Sequence, residues 1–556
     1  MNFLIIFYIA FLLSTLMVPL SIRLGRRWGI VDKPDPRKIH TSLIPRTGGL
    51  AIALGTLAAL FAVLPSSRPL SGYLGGGAVI LAFGIWDDMR DLNYKLKFLG
   101  QILAVLLFIA LSGIKISCLG ELWPGSTIYL GPASILVTVI FVLAVINIIN
   151  LSDGLDALAG GLSLLVLLAC ALLGYVQETL LPIAVALAVS GGLVGFMRFN
   201  MHPAEVFMGD TGSQFLGYSI GICLMMLTQG ESIYSPVLPL FLLGTPVLDT
   251  AMVIYERIRS GNSPFKPDKN HLHHKLLRAG LSQEQAVISI YFLHFSLILV
   301  GFGMRFVQDY IALTVYILIF CAIMFLRRAI HGKNIDAHDL YSSIKNGIVS
   351  LFIWNGKPID IRYCISFIFW KSFFALFFLF FFINIIYINN YPPYTLHTIL
   401  ILSIFLLILY FIDYKSISIK YIYYILLFFI LYTSVYGSIG SIEKSIPMES
   451  YNLLSFIFFA LTFFYFGCLI LTPEKTPLNP LDYILLAFIL LLILIPEGQN
   501  DPYNVRQIIM KAVLLGLALN LIFSRIGRNR KYIIFVTCFL FGEIAFMILF
   551  RRTIKA

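Results

Sequence analysis

The feature that most limits what this chain can become is a succession of apolar runs, each close to the roughly 20 residues an α-helix needs to cross a bilayer. Eleven fall in the first 330 residues, near 2–21, 47–64, 72–86, 97–113, 133–150, 157–174, 180–197, 214–227, 237–255, 287–304 and 309–326. Seven more follow, near 367–389, 396–412, 420–438, 453–471, 481–495, 507–524 and 531–550. The predicted fold class is an all-α polytopic membrane protein, with an eleven-span core and seven further C-terminal spans. Composition agrees: 12% of residues are charged, against roughly 25% in soluble proteins. The first run has no basic leader and no small-residue cleavage site, so it reads as a spanning helix rather than a signal peptide.

The net charge of +12 reads, in so apolar a chain, as basic loops that set orientation and meet anionic membrane lipid, not as nucleic-acid binding. Arg23, Arg26, Arg27, Lys33, Arg37, Lys38 and Arg46 crowd the first loop, Arg90, Lys95 and Lys97 the third, and Arg257, Arg259, Lys266, Lys269, Lys275 and Arg278 the loop after the ninth run. Residues 177–179 and 228–235 contain no Lys or Arg. The odd-numbered loops are therefore expected in the cytoplasm and the N-terminus outside. Carried to the end, the same alternation puts the terminal RRTIKA outside, against the rule, so the C-terminal count is off by one or the last run does not span.

The chemistry-bearing residues collect in four of these loops, all on the expected cytoplasmic side: IWDDMRDL at 85–92, INIINLSDGLD at 146–156, FNMHPAEVFMGDTGS at 199–213 and RIRSGNSPFKPDKNHLHHKLL at 257–277. Adjacent Asp87 and Asp88 repel unless a cation lies between them or one keeps its proton. Simple solvated acids at a helix C-terminus are the plainer reading, but they would oppose the helix dipole. Asp153 and Asp156 are three apart, and a helix starting here would put both on one face. Asp153 or Ser152 could instead be its N-cap, which leaves the second acid, Asn147 and Asn150 unexplained. Asp210 sits between Gly209 and Gly212, where backbone can approach a ligand closely, and the helix that follows is expected to offer free N–H groups to a phosphate. A turn with Asp210 as N-cap is the plainer alternative. His271, His273 and His274, with Lys266, Lys269 and Lys275 around them, form an anion-binding loop. Zinc is the rival reading, but the other loops supply hard oxygen donors that suit Mg²⁺ or Mn²⁺ bound together with substrate phosphates. The seven cysteines, Cys118, Cys170, Cys223, Cys321, Cys364, Cys468 and Cys538, include no CxxC pair and read as core or lipid-facing thiols. Together these loops predict a Mg²⁺–diphosphate site beside lipid headgroups, suited to phosphoryl transfer on a lipid phosphate.

Four stretches, DDMRDL (87–92), NIINLSDGLDALAGG (147–161), VFMGDTGSQFLG (206–217) and PFKPDKNHLHHKLL (264–277), resemble the motifs of the polyprenyl-phosphate N-acetylhexosamine-1-phosphate transferases, a glycosyltransferase family 4 group. The resemblance covers residues 1–330. It implies transfer of a sugar-1-phosphate, most readily GlcNAc-1-phosphate, from a UDP-N-acetylhexosamine to undecaprenyl phosphate with release of UMP, on the cytoplasmic face of the bacterial inner membrane. The muramyl-pentapeptide branch has Lys in place of Asp91 and a differently arranged histidine loop. DDMRD and HLHH look like the branch that starts O-antigen lipopolysaccharide, enterobacterial common antigen or teichoic acid linkage units. The resemblance implies that Asp153 and Asp210 hold Mg²⁺ and that Asp87 or Asp88 deprotonates or orients the lipid phosphate. It places Asp156 at the uracil edge with Phe207 stacking on the base and Asn150 supporting the nucleotide. His271, His273 and His274 contact phosphate or sugar, and Lys38 and Arg46 are further phosphate contacts. A homodimer is the oligomeric form entertained.

Domain expectations are a transferase domain at 1–330, an interfacial connector at 331–366 and a multi-span domain at 367–556 that has no counterpart in the family pattern. No motif in that last part assigns chemistry; a glycan-polymerase-like or scaffolding module is one reading. For the chain as a whole, a transporter or flippase of a lipid-linked or anionic solute is the competing class. It requires polar groups deep in the spans on both sides of the midplane, whereas the motifs cluster at one surface.

Overall fold

The computed structural model describes residues 3–32, 43–261, 271–278 and 280–332, with 353–354, 357–358 and 484 beyond them. Lys38, most of the connector and the seven predicted C-terminal spans lie outside the described residues. The chain divides into two units, Met1–Tyr341 and Ser342–Ala556. In the second, the described residues are a short antiparallel pairing of Ile353–Trp354 with Lys357–Pro358 and the buried Ile484.

The first unit is helical. Its helices are α1 (Phe3–Trp28), α2 (Gly48–Val63), α3 (Arg68–Arg90), α4 (Tyr94–Ser112), α5 (Ser134–Leu151), α6 (Leu158–Val176), α7 (Leu180–Asn200), α8 (Gly209–Thr228), α9 (Leu238–Leu242), α10 (Gly244–Arg259), α11 (Leu272–Arg278), α12 (Gln283–Met304) and α13 (Asp309–Gly332). Each of the eleven N-terminal apolar runs contains a helix, but the ninth is broken at Leu243 into α9 and α10. Seven helices among the described residues are long and apolar enough to cross a membrane: α1, α3, α4, α5, α6, α7 and α12.

The helices form layers around α6, α7 and α8. Every residue from Leu158 to Gly174 of α6 is buried, as expected of a helix that is apolar all round. α1 and α2 pack on α7, α3 and α5 flank α8, and α4 backs α3. This places the C-terminal ends of α3 and α5, the N-terminal end of α4 and the N-terminal end of α8 together.

Two short sheets join the helices. β1 (Val31–Asp32) pairs with β2 (Ile44–Pro45) across the first loop. β3 (Cys118–Trp123) and β4 (Ser126–Tyr129) form a hairpin between α4 and α5. It turns at Gly125, whose φ of +77° suits glycine. Asp309, at the start of α13, accepts from Glu121 N at 2.7 Å and from the Ser235 hydroxyl.

Candidate active site

The α3–α8 seam begins with a capping interaction between two helices. Asp88, in the last turn of α3, accepts from Asp210 N at 2.8 Å, from Thr211 N at 3.0 Å and from the Thr211 hydroxyl. These are opening N–H groups of α8, which a helix cannot satisfy internally. A carboxylate at a helix N-terminus is also favoured by the dipole. The next amide, Gly212 N, donates to Met208 O. The expectation of free N–H groups for a phosphate is therefore corrected: Asp88 occupies them. Asp210 is not the N-cap either; it stands inside the first turn, after Met208 in the cap position. Gly209 makes this close docking feasible, with φ +68° and no side chain where a Cβ would lie 2.7 Å from both Asp88 oxygens.

Asp87, one residue earlier, points the other way. It is 1% exposed. Its Oδ2 meets Lys97 Nζ at 2.8 Å and accepts from Gln214 Nε2 at 3.4 Å, while Oδ1 accepts from Leu92 N at 2.9 Å. Asp91 ends α3 in the left-handed region, φ 44°.

Lys97 lies in the first turn of α4 and also reaches Asp210 Oδ2 at 3.2 Å, so one ammonium bridges two carboxylates from different helices. Arg46, from the loop ahead of α2, adds a second cation 3.7 Å from Asp210 Oδ2 and 3.7 Å from Asp91. The other oxygen of Asp210 accepts from Asn150 Nδ2 at 2.7 Å, and the same amide reaches Ser213 Oγ at 2.8 Å. Asn150, expected to support a nucleotide, thus orients Asp210.

Behind Asp87 runs a file of amides. Asn147 Nδ2 donates to Gln101 Oε1 at 3.1 Å, Gln101 Nε2 to Gln214 Oε1 at 3.2 Å, and Gln214 to Asp87. Sequence reasoning named Lys97 only as a loop charge and passed over Gln101 and Gln214. The available signal was a charge and two amides inside runs that are otherwise apolar, where polar side chains are costly without a partner.

The stretch 152–157 is a turn. α5 ends at Leu151 and α6 begins at Leu158 after Ala157, φ +65°. This corrects the helical-face reading of Asp153 and Asp156 and the assignment of Asp153 or Ser152 as N-cap: the chain reverses here, and a reversal puts the two acids in different surroundings. Asp153 accepts no hydrogen bond among the described residues. Its side chain is exposed and stands among like charges. Displacement of bulk water pushes it up to about 7; Asp210, Asp88 and Asp156 add repulsion, and Arg46 opposes it. A site with carboxylates crowded beyond the charge of its cations fits a hard divalent ion. Among the described residues no three His, Cys, Asp or Glu side chains converge as a cage. Asp153 and Asp210 would therefore share such an ion with waters and substrate phosphate oxygens, the usual pattern for Mg²⁺.

Asp156 turns away from that cluster. Its Oδ2 meets His202 Nδ1 at 2.8 Å and Ala204 N at 3.3 Å. The buried Asn200 ties the same loop to the turn, accepting from Ala157 N at 3.0 Å and donating to Val206 O at 2.8 Å. Phe207 is fixed through its backbone: its N–H donates to Pro45 O at 2.8 Å and its carbonyl accepts from Gly48 N at 2.9 Å.

The histidine segment docks on the turn. His271 Nδ1 lies 2.8 Å from Asp249 Oδ2, and Asp249 Oδ1 accepts from Leu272 N at 2.8 Å. Asp249, on α10, was not singled out from sequence. The ring of His273 stacks on His271 at 5.8 Å and meets His274 at 4.3 Å. It occupies the space where a Cβ on Gly154 would stand, 2.4 Å from Nε2. His273 is 4% exposed, and burial, helped by the two neighbouring histidines, pushes it down to about 4. It is therefore neutral at ordinary pH, a packing group rather than a positive charge for phosphate. Of the residues singled out from sequence, Asp87, Asp88, Asp153, Asp210, Asn150 and Arg46 come together. Asp156 and Phe207 lie on the flank formed by the loop after α7, and the histidines on the flank formed by α10 and α11.

Comparison with known proteins adds a separate line. The family model described as glycosyl transferase family 4 matches residues 70–228. A Bacillus subtilis (strain 168) protein named probable undecaprenyl-phosphate N-acetylglucosaminyl 1-phosphate transferase is 37% identical over 294 residues, 52% of this chain and 82% of the relative. Undecaprenyl-phosphate alpha-N-acetylglucosaminyl 1-phosphate transferases of Yersinia pestis and of Escherichia coli (strain K12) are 31% and 32% identical, over 87% and 78% of their own lengths.

Proposed function

The chain belongs to glycosyl transferase family 4, and from that membership we propose that it transfers GlcNAc-1-phosphate from UDP-GlcNAc to undecaprenyl phosphate. The observation that carries the reading is the convergence of Asp87, Asp88, Asp153 and Asp210 with Lys97 and Arg46 at one end of the helix bundle. A phosphate oxygen of the lipid attacks the sugar-bearing phosphorus. The bond from that phosphorus to the bridging oxygen breaks, and UMP leaves with the oxygen.

The protein's part is positioning and charge neutralisation. Asp153 and Asp210 would hold Mg²⁺, which supplies Lewis-acid stabilisation of the diphosphate. Lys97 and Arg46 neutralise phosphate charge beside it. Asp87 orients the acceptor through Lys97, and Asp88 keeps Asp210 in place through the α8 amides. Asp156 and Phe207 take the uracil, and the His271–His274 segment walls the sugar side. Eleven crossings, with this end in the cytoplasm and the bacterial inner membrane as location, agree with the Lys and Arg bias of the loops. The chain's product would start a lipid-linked envelope glycan. A transport role finds no comparable support. Residues 367–556 would be separable if a chain ended near His331 kept full transfer.

Membranes containing the protein, supplied with Mg²⁺, UDP-GlcNAc and undecaprenyl phosphate, are expected to release UMP. Absence of UMP with every UDP-N-acetylhexosamine tried would overturn the proposal.

A further inference from the structure

The loop 201–208 contains one imidazole that the proposed chemistry does not use. His202 is 41% exposed at its side chain and carries no charge partner from the acid cluster; its contact is Asp156, whose side chain is 14% exposed. An ionised Asp156 can only accept, so His202 Nδ1 donates to Oδ2, and Ala204 N donates to the same oxygen. Both donors come from the loop after α7, while Asp156 comes from the turn before α6. The pair is therefore a clasp between two segments, each bearing one of the two residues proposed for the base, Asp156 and Phe207. The inner seam between the same segments is made by Asn200, buried and bonded at both ends. Removing His202 leaves that seam, and with it the fold of the loop, in place.

The clasp has a chemical consequence. With Oδ2 spent on two donors, Asp156 has Oδ1 to offer, and its direction is set by His202. One fixed carboxylate acceptor matches the imide N–H of uracil. It repels the unprotonated ring nitrogen that cytosine presents at the same place. A carboxylate free to rotate would lose this discrimination, because either oxygen could retreat to water.

We propose that His202 is a positioning residue for nucleobase selection, locking the Asp156 carboxylate so that the donor nucleotide is read as a uridine. This rests on the transferase reading above and on the uracil role of Asp156. It predicts a defect confined to the nucleotide. In His202→Ala the KM for UDP-GlcNAc should rise about tenfold, the scale of one charge-assisted hydrogen bond. kcat and the KM for undecaprenyl phosphate should stay within about threefold, since the acid cluster is untouched. The affinity of the detergent-solubilised protein for UMP, measured by calorimetry, should fall by the same factor, and its preference for UMP over CMP should narrow. His202→Gln, which can still donate to Asp156, should recover much of the UMP affinity, whereas a merely space-filling role would not respond to the donor.

The proposal is overturned if His202→Ala binds UMP as wild type does, or if it loses kcat at unchanged KM. It is equally overturned if glutamine and alanine behave alike. Failure of the underlying reading looks different: wild-type protein would then release no UMP at all and show no preference between UMP and CMP.

Discussion

Two neighbouring sets of acids at one end of the bundle are built on opposite plans. In the α3–α8 seam Asp87, Asp88 and Asp210 are committed: among them they accept from four backbone N–H groups or hydroxyls, two amides and a shared lysine. In the turn 152–157 Asp153 accepts nothing among the described residues, and its surroundings push its carboxyl up to about 7. The seam stores its negative charge by pairing it. The turn leaves Asp153 without a hydrogen-bond donor among the described residues, opposed in charge only by Arg46 among the groups that act on it. The comparison teaches where the protein ends and the ligand begins. The seam is scaffold that fixes Asp210, and in the function proposed above Asp153 is the side a cation and its phosphate would complete.

The largest effect should come where the two plans meet. Asp210→Ala removes a carboxylate that both the seam and the proposed ion use. Transfer should fall by about a thousandfold or more, with folded protein still recovered from the membrane. Full activity in that variant would break the comparison, since no metal role would survive. Asp153→Asn comes next, at about a hundredfold on transfer. Its sharper signature is thermal: Mg²⁺ should raise the melting temperature of the wild type, and the asparagine variant should lose most of that gain. An equal gain in both would move the ion elsewhere.

Asp88→Ala tests the scaffold side. It uncaps α8 and leaves two amides without their acceptor, an expected loss of about 2 kcal/mol of stability. Here melting temperature should fall before Mg²⁺ response does, the reverse of Asp153→Asn. The smallest effect concerns His273. Its folded value is about 4, below the ordinary 6.5 of an imidazole, so folding favours the neutral form. Its contribution is fully present above pH 6.5 and is lost as pH falls towards 4. Wild type and His273→Asn should therefore converge in melting temperature between pH 7 and pH 4. A constant gap would show that burial does not hold His273 neutral.

Much of this was legible in the sequence, and the reasons for the rest are physical. Apolar runs mark helices because their length and composition suit hydrocarbon, and each of the eleven N-terminal runs does contain a helix. The four motifs announced their acids because charge at the end of an apolar run is costly. The uses of those acids were not legible. Nothing local to Asp88 says that its partners are amides 122 and 123 positions away. Asn150 looked like a ligand group until Asp210 was found within its reach. The turn at 152–157 defeated helical periodicity because three residues of spacing mean one face only if the backbone is a helix. Lys97, Gln101 and Gln214 were hidden by the hydrophobicity of their neighbours. The 118–129 hairpin was hidden because two short strands carry little pattern of their own.

The file of amides behind Asp87 has a direction. A carboxylate can only accept, so Gln214 must turn its NH₂ towards Asp87, which leaves its oxygen facing back; Gln101 and Asn147 then have no choice either. One fixed charge on α3, with the Leu143 carbonyl at the far end, thus sets which way round three side chains sit on three other helices. If that charge were neutralised, by a proton or by Asp87→Asn, Gln214 would lose a partner that can only accept, while Asn147 would keep its orientation through Leu143 O, 2.7 Å from its Nδ2. The file is thus anchored at both ends, and α4, α5 and α8 are held in one hydrogen-bonded order that runs from a charge on α3 to the backbone of α5.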